Sequence, residues 1–173
     1  MTREYRSETV ARILMGFYSL MVMATNQCNG RVIAFAGDRI MSFFSQNNEE
    51  NTISEAIECA LGMQSIVRFI LSEDLKRRNF KPKIHCAIGL DYGLVMMGRM
   101  GLGQSTDIVL VGNSANMAAK YQNHAGKNET FVNNIIYDNF PEWVNNDHWK
   151  KESLDVEGLG TLSGWKSNSY LKM

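Results

Sequence analysis

Residues 106–121, TDIVLVGNSANMAAKY, constrain the fold more strongly than any other part of the chain. Residues 108–111 form a continuous, mostly β-branched apolar run, which is typical of a buried strand. Gly112 ends this run, and Asn113 and Ser114 are residue types that favour a helix start. The Ala, Met and Lys residues that follow favour a helix. The stretch therefore predicts a strand, a sharp turn and a helix in direct succession.

The predicted helix places an amide and a cation side by side. Asn116 and Lys120 are four residues apart, so they share one face of the helix. The N-terminus of a helix attracts anions, and phosphate is the usual one. The segment therefore indicates an anion-binding turn, and an ordinary turn with a surface Asn and Lys is the alternative.

Composition limits the classes of partner and the compartment. The chain has 173 residues, of which 45% are hydrophobic, and its formal net charge is zero. One domain over residues 1–173 is expected, without the basic field that nucleic acid or an anionic membrane surface requires. The three cysteines, Cys28, Cys59 and Cys86, form no CxxC pair, which predicts buried free thiols in a reducing cytoplasm.

A second informative segment lies upstream. Residues 31–36 and 39–44 are two short runs rich in Val, Ile and Phe, and Gly37 and Asp38 separate them. This pattern predicts a β-hairpin with the Asp38 carboxylate at its tip. Asp38 alone is a weak functional signal, because Asp is also a common turn residue.

In chain order, the patterns predict an α+β fold in which helices pack on a sheet. A capping-box pattern at residues 52–55 predicts the start of the second long helix. The predicted elements are a helix at 7–28, the hairpin, a helix at 53–78, strands at 83–90 and 94–100, a Gly-rich loop at 101–105, the strand and helix described above, a strand at 129–133, a helical turn at 135–140, and an irregular hairpin extension at 143–173. A ferredoxin-like unit begins with a strand, whereas this chain begins with a helix, so a leading strand is missing.

Two stretches resemble the catalytic domains of class III nucleotidyl cyclases: GRVIAFAGDRIMSFF and AIGLDYGLVMMGRMGLGQSTDIVLVGNSANMAAKYQNHAG. They occur in the family's order and at its separation, and the resemblance covers about residues 7–137. The form DIVLVGNSANMAAK is most similar to the pyrimidine cyclases of the bacterial Pycsar anti-phage systems. The resemblance implies a ferredoxin-like class III cyclase fold, with a central, mostly antiparallel sheet flanked by helices.

The resemblance implies a two-metal site for Mg²⁺ or Mn²⁺. Cyclases of this family hold the two cations with two Asp side chains, and the Asp of the hairpin turn corresponds to Asp38. The other family Asp lies on a strand that precedes the first helix, which is the element missing here. We expect a longer native protein in which that strand precedes Met1. A degenerate copy without this ligand is the alternative.

The resemblance also assigns catalytic roles on the predicted helix. The family uses an Asn at the ribose and an Arg four residues later at the triphosphate; Asn116 matches the Asn, and Lys120 stands at the Arg position. Lysine keeps the charge but lacks the planar fork that makes bidentate phosphate contacts. Asn116 would hold the ribose for in-line attack, and Lys120 would stabilise the charge growing on the phosphate.

Base choice in the family depends on two further positions. Adenylate cyclases carry Lys four residues before the hairpin Asp, where this chain has Ala34. They carry Asp or Thr three residues before the Gly of the second motif, where this chain has Val109. Neither purine-reading side chain is present, which disfavours ATP and GTP. Together with Gly37 and Gly112, these residues are expected to line the substrate site.

The implied reaction is intramolecular: the ribose 3′ oxygen attacks its own α-phosphate, and pyrophosphate leaves. UTP is the favoured substrate and cyclic UMP the product, as a second messenger of anti-phage defence, and CTP stays possible. The implied partners are the nucleoside triphosphate and a second copy, because family members are head-to-tail homodimers with composite sites. The alternatives are a catalytically silent cyclase-like domain that binds a nucleotide or a partner, and a purine cyclase with unusual base contacts.

Overall fold

The computed structural model describes residues 6–45, 48–80, 84–103, 105–156, 158 and 160–172. The helices within this part of the chain are α1 (Ser7–Gln27), α2 (Glu49–Ser65), α3 (Ser72–Arg77), α4 (Asn113–His124) and α5 (Asn134–Asp138). The strands are β1 (Arg31–Ala36), β2 (Arg39–Phe43), β3 (Ile88–Leu90), β4 (Met96–Leu102), β5 (Ser105–Val111), β6 (Thr130–Asn133), β7 (Lys150–Val156) and β8 (Gly160–Ser167). No helix in the described ranges is long and apolar enough to cross a membrane.

The second long helix begins earlier than its capping-box pattern predicts. Asn48 is the N-cap, and its side chain accepts a hydrogen bond from the Asn51 backbone N–H at 2.8 Å. The predicted start at residues 52–55 is therefore wrong, because Asn48 is a good cap and two glutamates follow it in the first turn. Beyond α2 the helix continues through a π-helical segment, Ile66–Leu71, into α3.

The central sheet has four strands in the order β3-β6-β8-β7. β3 pairs with β6 in parallel, and the β6–β8 and β8–β7 pairs are antiparallel. The predicted α+β class and the mostly antiparallel central sheet are confirmed. Of the predicted strand at 83–90, only Ile88–Leu90 is paired, and residue 83 lies outside the described residues.

Two hairpins, β1–β2 and β4–β5, stand outside the hydrogen bonding of the central sheet. In β4–β5 the register runs without interruption from Met96 opposite Val111 to Leu102 opposite Ser105. The predicted loop at residues 101–105 is thus largely strand, since Gly101 and Leu102 belong to the ladder. Gly101 adopts a positive φ of 128° inside β4, a conformation that glycine tolerates and other residues rarely adopt.

The C-terminal segment belongs to the central sheet. β7 and β8 form a regular hairpin, and β8 lies between β6 and β7. The predicted C-terminal hairpin at 143–173 is confirmed, but it is regular rather than irregular, and it is paired into the central sheet. The segment is ordered by its backbone hydrogen bonds to β6 and by the burial of Trp149 and Leu154. Neither feature is visible in the local sequence pattern.

Adjacent residues of β6 point to opposite faces of the sheet. Phe131 belongs to the apolar cluster that contains Met117 and Tyr121 of α4, whereas Val132 belongs to the cluster that contains Ile57 of α2. Successive strand side chains alternate between faces. α2 and α4 therefore cover opposite faces of the central sheet.

Candidate active site

The β1–β2 hairpin presents Asp38 to solvent. Ala36 pairs with Arg39, so Gly37 and Asp38 form the two-residue turn, and Gly37 has a positive φ of 64°. The Tyr18 hydroxyl of α1 donates a hydrogen bond to the Gly37 carbonyl. The Tyr18 ring also packs edge-on against Phe35, with centroids 4.9 Å apart. α1 thus holds the hairpin tip, a role for Tyr18 that the sequence pattern did not indicate.

The predicted strand–turn–helix unit is confirmed as β5, Gly112 and α4. Asn116 is exposed and Lys120 is half-buried, and within the described residues no salt bridge uses Lys120. The opposite side of α4 is buried through Ser114, Met117 and Tyr121. The amide and the cation therefore stand together on the side of α4 that does not pack against the sheet.

The expected capping role of Asn113 and Ser114 is not observed. Gly112 occupies the N-cap position, without a side-chain cap, and Asn113 is the first helical residue. Ser114 lies inside the first turn beside Asp91, and its side chain opposes the rise in the pKa of that carboxyl. The helix begins before Ser114, so Gly112 stands at the position where a capping side chain was expected.

Three glycines allow close packing around α4. A Cβ at Gly89 would stand 2.2 Å from both the Ala118 carbonyl oxygen and the Gln122 amide nitrogen of α4. At Gly93 it would meet the Ser114 hydroxyl at 2.2 Å, and at Gly112 the Leu94 carbonyl oxygen at 2.7 Å. β3 and residues 91–95 therefore fix the position of the helix that carries Asn116 and Lys120.

A polar cavity of about 310 Å³ lies behind the first turn of α4, lined among others by Asp91, Ser114, Tyr121 and Asn133. The Asn133 amide donates to Asp91 Oδ1 at 2.7 Å. Burial raises the pKa of Asp91, and the hydrogen bonds from Ser114 and Asn133 oppose that shift. Burial, and then the Asp91 charge, raise the pKa of Tyr121 to about 12. The predicted strands at 83–90 and 94–100 leave Asp91 in the connection between them, although a carboxylate directly after an apolar strand is a usable signal of a site.

The two positions that the resemblance links to base choice lie on strands of two different hairpins. Ala34 is exposed on β1, and Val109 is half-buried on β5, opposite Gly98 of β4. β1 and β5 contact each other. No polar side chain stands at either position to read a base by hydrogen bonds, so selection there would rest on shape.

The metal-ligand set of the described residues is incomplete for two cations. Asp38 supplies an exposed carboxylate, the ligand type that Mg²⁺ prefers. No group of three or more His, Cys, Asp or Glu side chains among the described residues could hold a metal ion. Nor does any hydrogen bond or salt bridge described there link Asp38 to Asn116 or Lys120. The described residues fit one ligand of a divalent cation site.

The family model for the adenylate and guanylate cyclase catalytic domain matches residues 1–165. The chain therefore belongs to that family, and the predicted class III cyclase resemblance is confirmed. It is also similar to the guanylyl cyclase Cya2 crystal structure, with a TM-score of 0.87 at 17% identity over 99% of this chain and 86% of that one. At this identity the likeness shows the fold alone.

Two of the curated relatives are named uridylate cyclase. The chain is 31% identical over 143 residues to a uridylate cyclase of Burkholderia cepacia, which covers 79% of this chain and 61% of the relative. It is 26% identical over 167 residues to a uridylate cyclase of Rhodovulum sp. (strain MB263), which covers 90% of this chain and 68% of the relative. The chain thus spans about two thirds of the length of these two relatives.

Proposed function

We propose that this protein is a nucleotidyl cyclase that converts a pyrimidine nucleoside triphosphate, UTP in the first place, into the 3′,5′-cyclic nucleotide and pyrophosphate. The observation that carries the proposal is the exposed face of α4, where Asn116 and Lys120 stand four residues apart directly after the β5 turn. Family membership supplies the reaction class, and the two relatives named uridylate cyclase support the pyrimidine. A role in anti-phage signalling belongs to the same proposal.

In the proposed reaction, the ribose 3′ hydroxyl loses its proton to solvent water, its oxygen forms a bond to the α-phosphorus, and the bond from that phosphorus to the pyrophosphate oxygen breaks. The Asn116 amide hydrogen-bonds to the ribose and holds the 3′ oxygen in line with the leaving group. The Lys120 ammonium compensates the negative charge that develops on the phosphate oxygens. Lys120 is half-buried and unpaired by any salt bridge of the described residues, so its charge is available to an incoming phosphate.

Asp38 would hold one divalent cation, Mg²⁺ or Mn²⁺, which when bound supplies charge neutralisation at the triphosphate. The position suits this role, because the tip of the β1–β2 hairpin is exposed and no atom lies within 4 Å of the place where a Gly37 Cβ would stand. Tyr18 would support the ligand by holding the turn from α1.

We propose a head-to-tail homodimer in which Asp38 of one copy and the Asn116–Lys120 pair of the other complete a site. Leu94 and the β4–β5 hairpin expose large apolar side chains, with Leu94 96% and Leu102 91% exposed; the others are Met96, Met97, Met100, Ile108 and Val111. A two-stranded hairpin is marginal alone in water, and exposed apolar patches mark interaction surfaces. A second copy is the partner that would cover this surface.

The direct test is to incubate the purified protein with each nucleoside triphosphate and Mn²⁺, and to identify products by mass spectrometry. Cyclic UMP is expected, with no product from Asp38→Ala and an unchanged yield from the control Asp138→Asn, an exposed carboxylate on α5. Cyclic AMP as the sole product would overturn the pyrimidine assignment in favour of a purine cyclase. Full activity of Asp38→Ala would remove Asp38 from the metal site.

A second candidate is a catalytically silent cyclase-like domain that binds a nucleotide or a partner. The specific observation in its favour is that the described residues hold no three-ligand metal group. With a single carboxylate, cation affinity falls. Saturable nucleotide binding without product from any of the four triphosphates would favour this candidate.

A further inference from the structure

Asp91 lies where three elements meet behind α4. It follows directly on β3, accepts from the Asn133 amide at the end of β6 at 2.7 Å, and lines the same cavity as Ser114 of the first turn of α4. The Ser114 side chain favours the ionised form of Asp91. Asn133 is itself fixed, because its Oδ1 accepts from the Ile136 backbone N–H at 2.9 Å and caps α5. The Asp91 carboxylate therefore connects the central sheet with the first turn of α4.

The Asp91 charge has no counter-ion in the described part of the chain. The groups that face it are the Ser114 hydroxyl and Tyr121 phenol of α4 and the Asn133 amide of β6, and no described salt bridge reaches it. Burial of such a carboxylate opposes its ionised form. The compensation comes from these hydrogen bonds and from the N-terminus of the 12-residue helix α4, which favours negative charge.

Stability alone therefore favours a neutral side chain at position 91. An ionised carboxylate is the better acceptor for the first turn of α4, because charge-assisted hydrogen bonds are shorter and stronger than neutral ones. Asn116 comes two residues after Ser114, and Lys120 one turn further along the same helix. A shift of the first turn would move both side chains.

We propose that Asp91 is a positioning residue, whose ionised carboxylate fixes the first turn of α4 and so sets where Asn116 and Lys120 meet the nucleotide. This inference rests on the proposed cyclase function. The inference predicts that the charge of Asp91 raises kcat without raising the melting temperature. An ordinary structural hydrogen bond would instead raise the melting temperature.

The test compares wild type, Asp91→Asn and the exposed control Asp138→Asn in three measurements. These are kcat and KM for UTP with Mn²⁺ across pH, the melting temperature, and hydrogen exchange of the α4 amides. For Asp91→Asn we expect kcat to fall about 10- to 100-fold with KM little changed, because a misplacement of about 1 Å has that effect. The melting temperature at pH 7 should be unchanged or higher, and exchange should accelerate at residues 113–117 only.

The pH profile gives an independent readout. Burial raises the pKa of Asp91, so wild-type kcat should fall as pH drops through that raised pKa and the carboxylate is protonated. Asp91→Asn should lack this acid limb. Wild-type kcat in Asp91→Asn, or a loss of kcat together with a lower melting temperature and faster exchange throughout, would overturn the positioning role. If wild type forms no product, the cyclase proposal fails, and the exchange at 113–117 alone decides whether Asp91 fixes α4.

Discussion

Replacement of Gly89 by alanine tests how tightly β3 positions α4. The added Cβ would stand 2.2 Å from the Ala118 carbonyl oxygen and 2.2 Å from the Gln122 amide nitrogen, whereas ordinary contacts begin near 3.4 Å. Both atoms are backbone, so no side-chain rotation relieves the clash, and α4 must move by at least about 1 Å. Overpacking of this kind costs about 1–3 kcal/mol. For a chain of this length, each kcal/mol lowers the melting temperature by about 2–4 °C.

The same displacement has a catalytic consequence. Asn116 and Lys120 lie on the same helix as Ala118 and Gln122, each two residues before one of them. A displacement of α4 at Ala118 and Gln122 would therefore move both proposed catalytic side chains. A misplacement of about 1 Å lowers kcat on the order of 100-fold. Thermal melts and UTP turnover of Gly89→Ala are compared with Gly16→Ala, where a Cβ meets nothing within 4 Å on α1 and Ala favours the helix. A Gly89→Ala protein with wild-type melting temperature and turnover would refute the packing argument.

Three further outcomes are expected. Lys120→Arg should keep most of the activity, whereas Lys120→Ala should lose about 100-fold in kcat, because the cation stabilises negative charge in the transition state. Equal activity of the Arg and Ala variants would exclude this role for Lys120. Tyr18→Phe removes the hydroxyl that donates to the Gly37 carbonyl, and we expect it to lower kcat. The lost hydrogen bond should reduce the free energy of unfolding by about 1 kcal/mol, so the melting temperature should fall by only a few degrees. The Lys166 ammonium, which bonds to Glu152 at 2.6 Å, holds the pKa of Glu152 below its usual value. The melting-temperature difference between wild type and Glu152→Gln should therefore be present at pH 7 and decrease as pH falls below the usual glutamate pKa and through the lowered pKa of Glu152; a difference that stays constant over that fall in pH would point to packing instead.

Local patterns were sufficient where an element carries its own signals. Residues 106–121 predicted a strand, a turn and a helix, and β5, Gly112 and α4 follow that order. The Gly37–Asp38 turn was predicted because its residue types are adapted to a two-residue hairpin, and the pairing of Ala36 with Arg39 matches. Asn116 and Lys120 share a face of α4 because helical geometry alone requires it.

The remaining features depend on partners that are distant in sequence. The hairpin at the C-terminus became part of the central sheet because β6 supplies its hydrogen bonds. Ser114 does not cap α4, because the helix begins one residue earlier, after Gly112, and Ser114 lies in the first turn beside Asp91, which follows β3. The requirement for glycine at position 89 was not visible in the local sequence, because it comes from the α4 backbone that packs against Gly89. Tertiary contacts of this kind leave little trace in a single sequence.

The central claim is that one chain carries both parts of a composite pyrimidine cyclase site. The most direct measurement mixes Asp38→Ala with Lys120→Ala and quantifies cyclic UMP formed from UTP and Mn²⁺. Alone, Asp38→Ala should form no product and Lys120→Ala about a hundredth of the wild-type amount, whereas a 1:1 mixture should recover about a quarter of the wild-type sites, because half the dimers are mixed and each holds one intact site. No recovery in the mixture, with both variants folded and dimeric, would contradict the account.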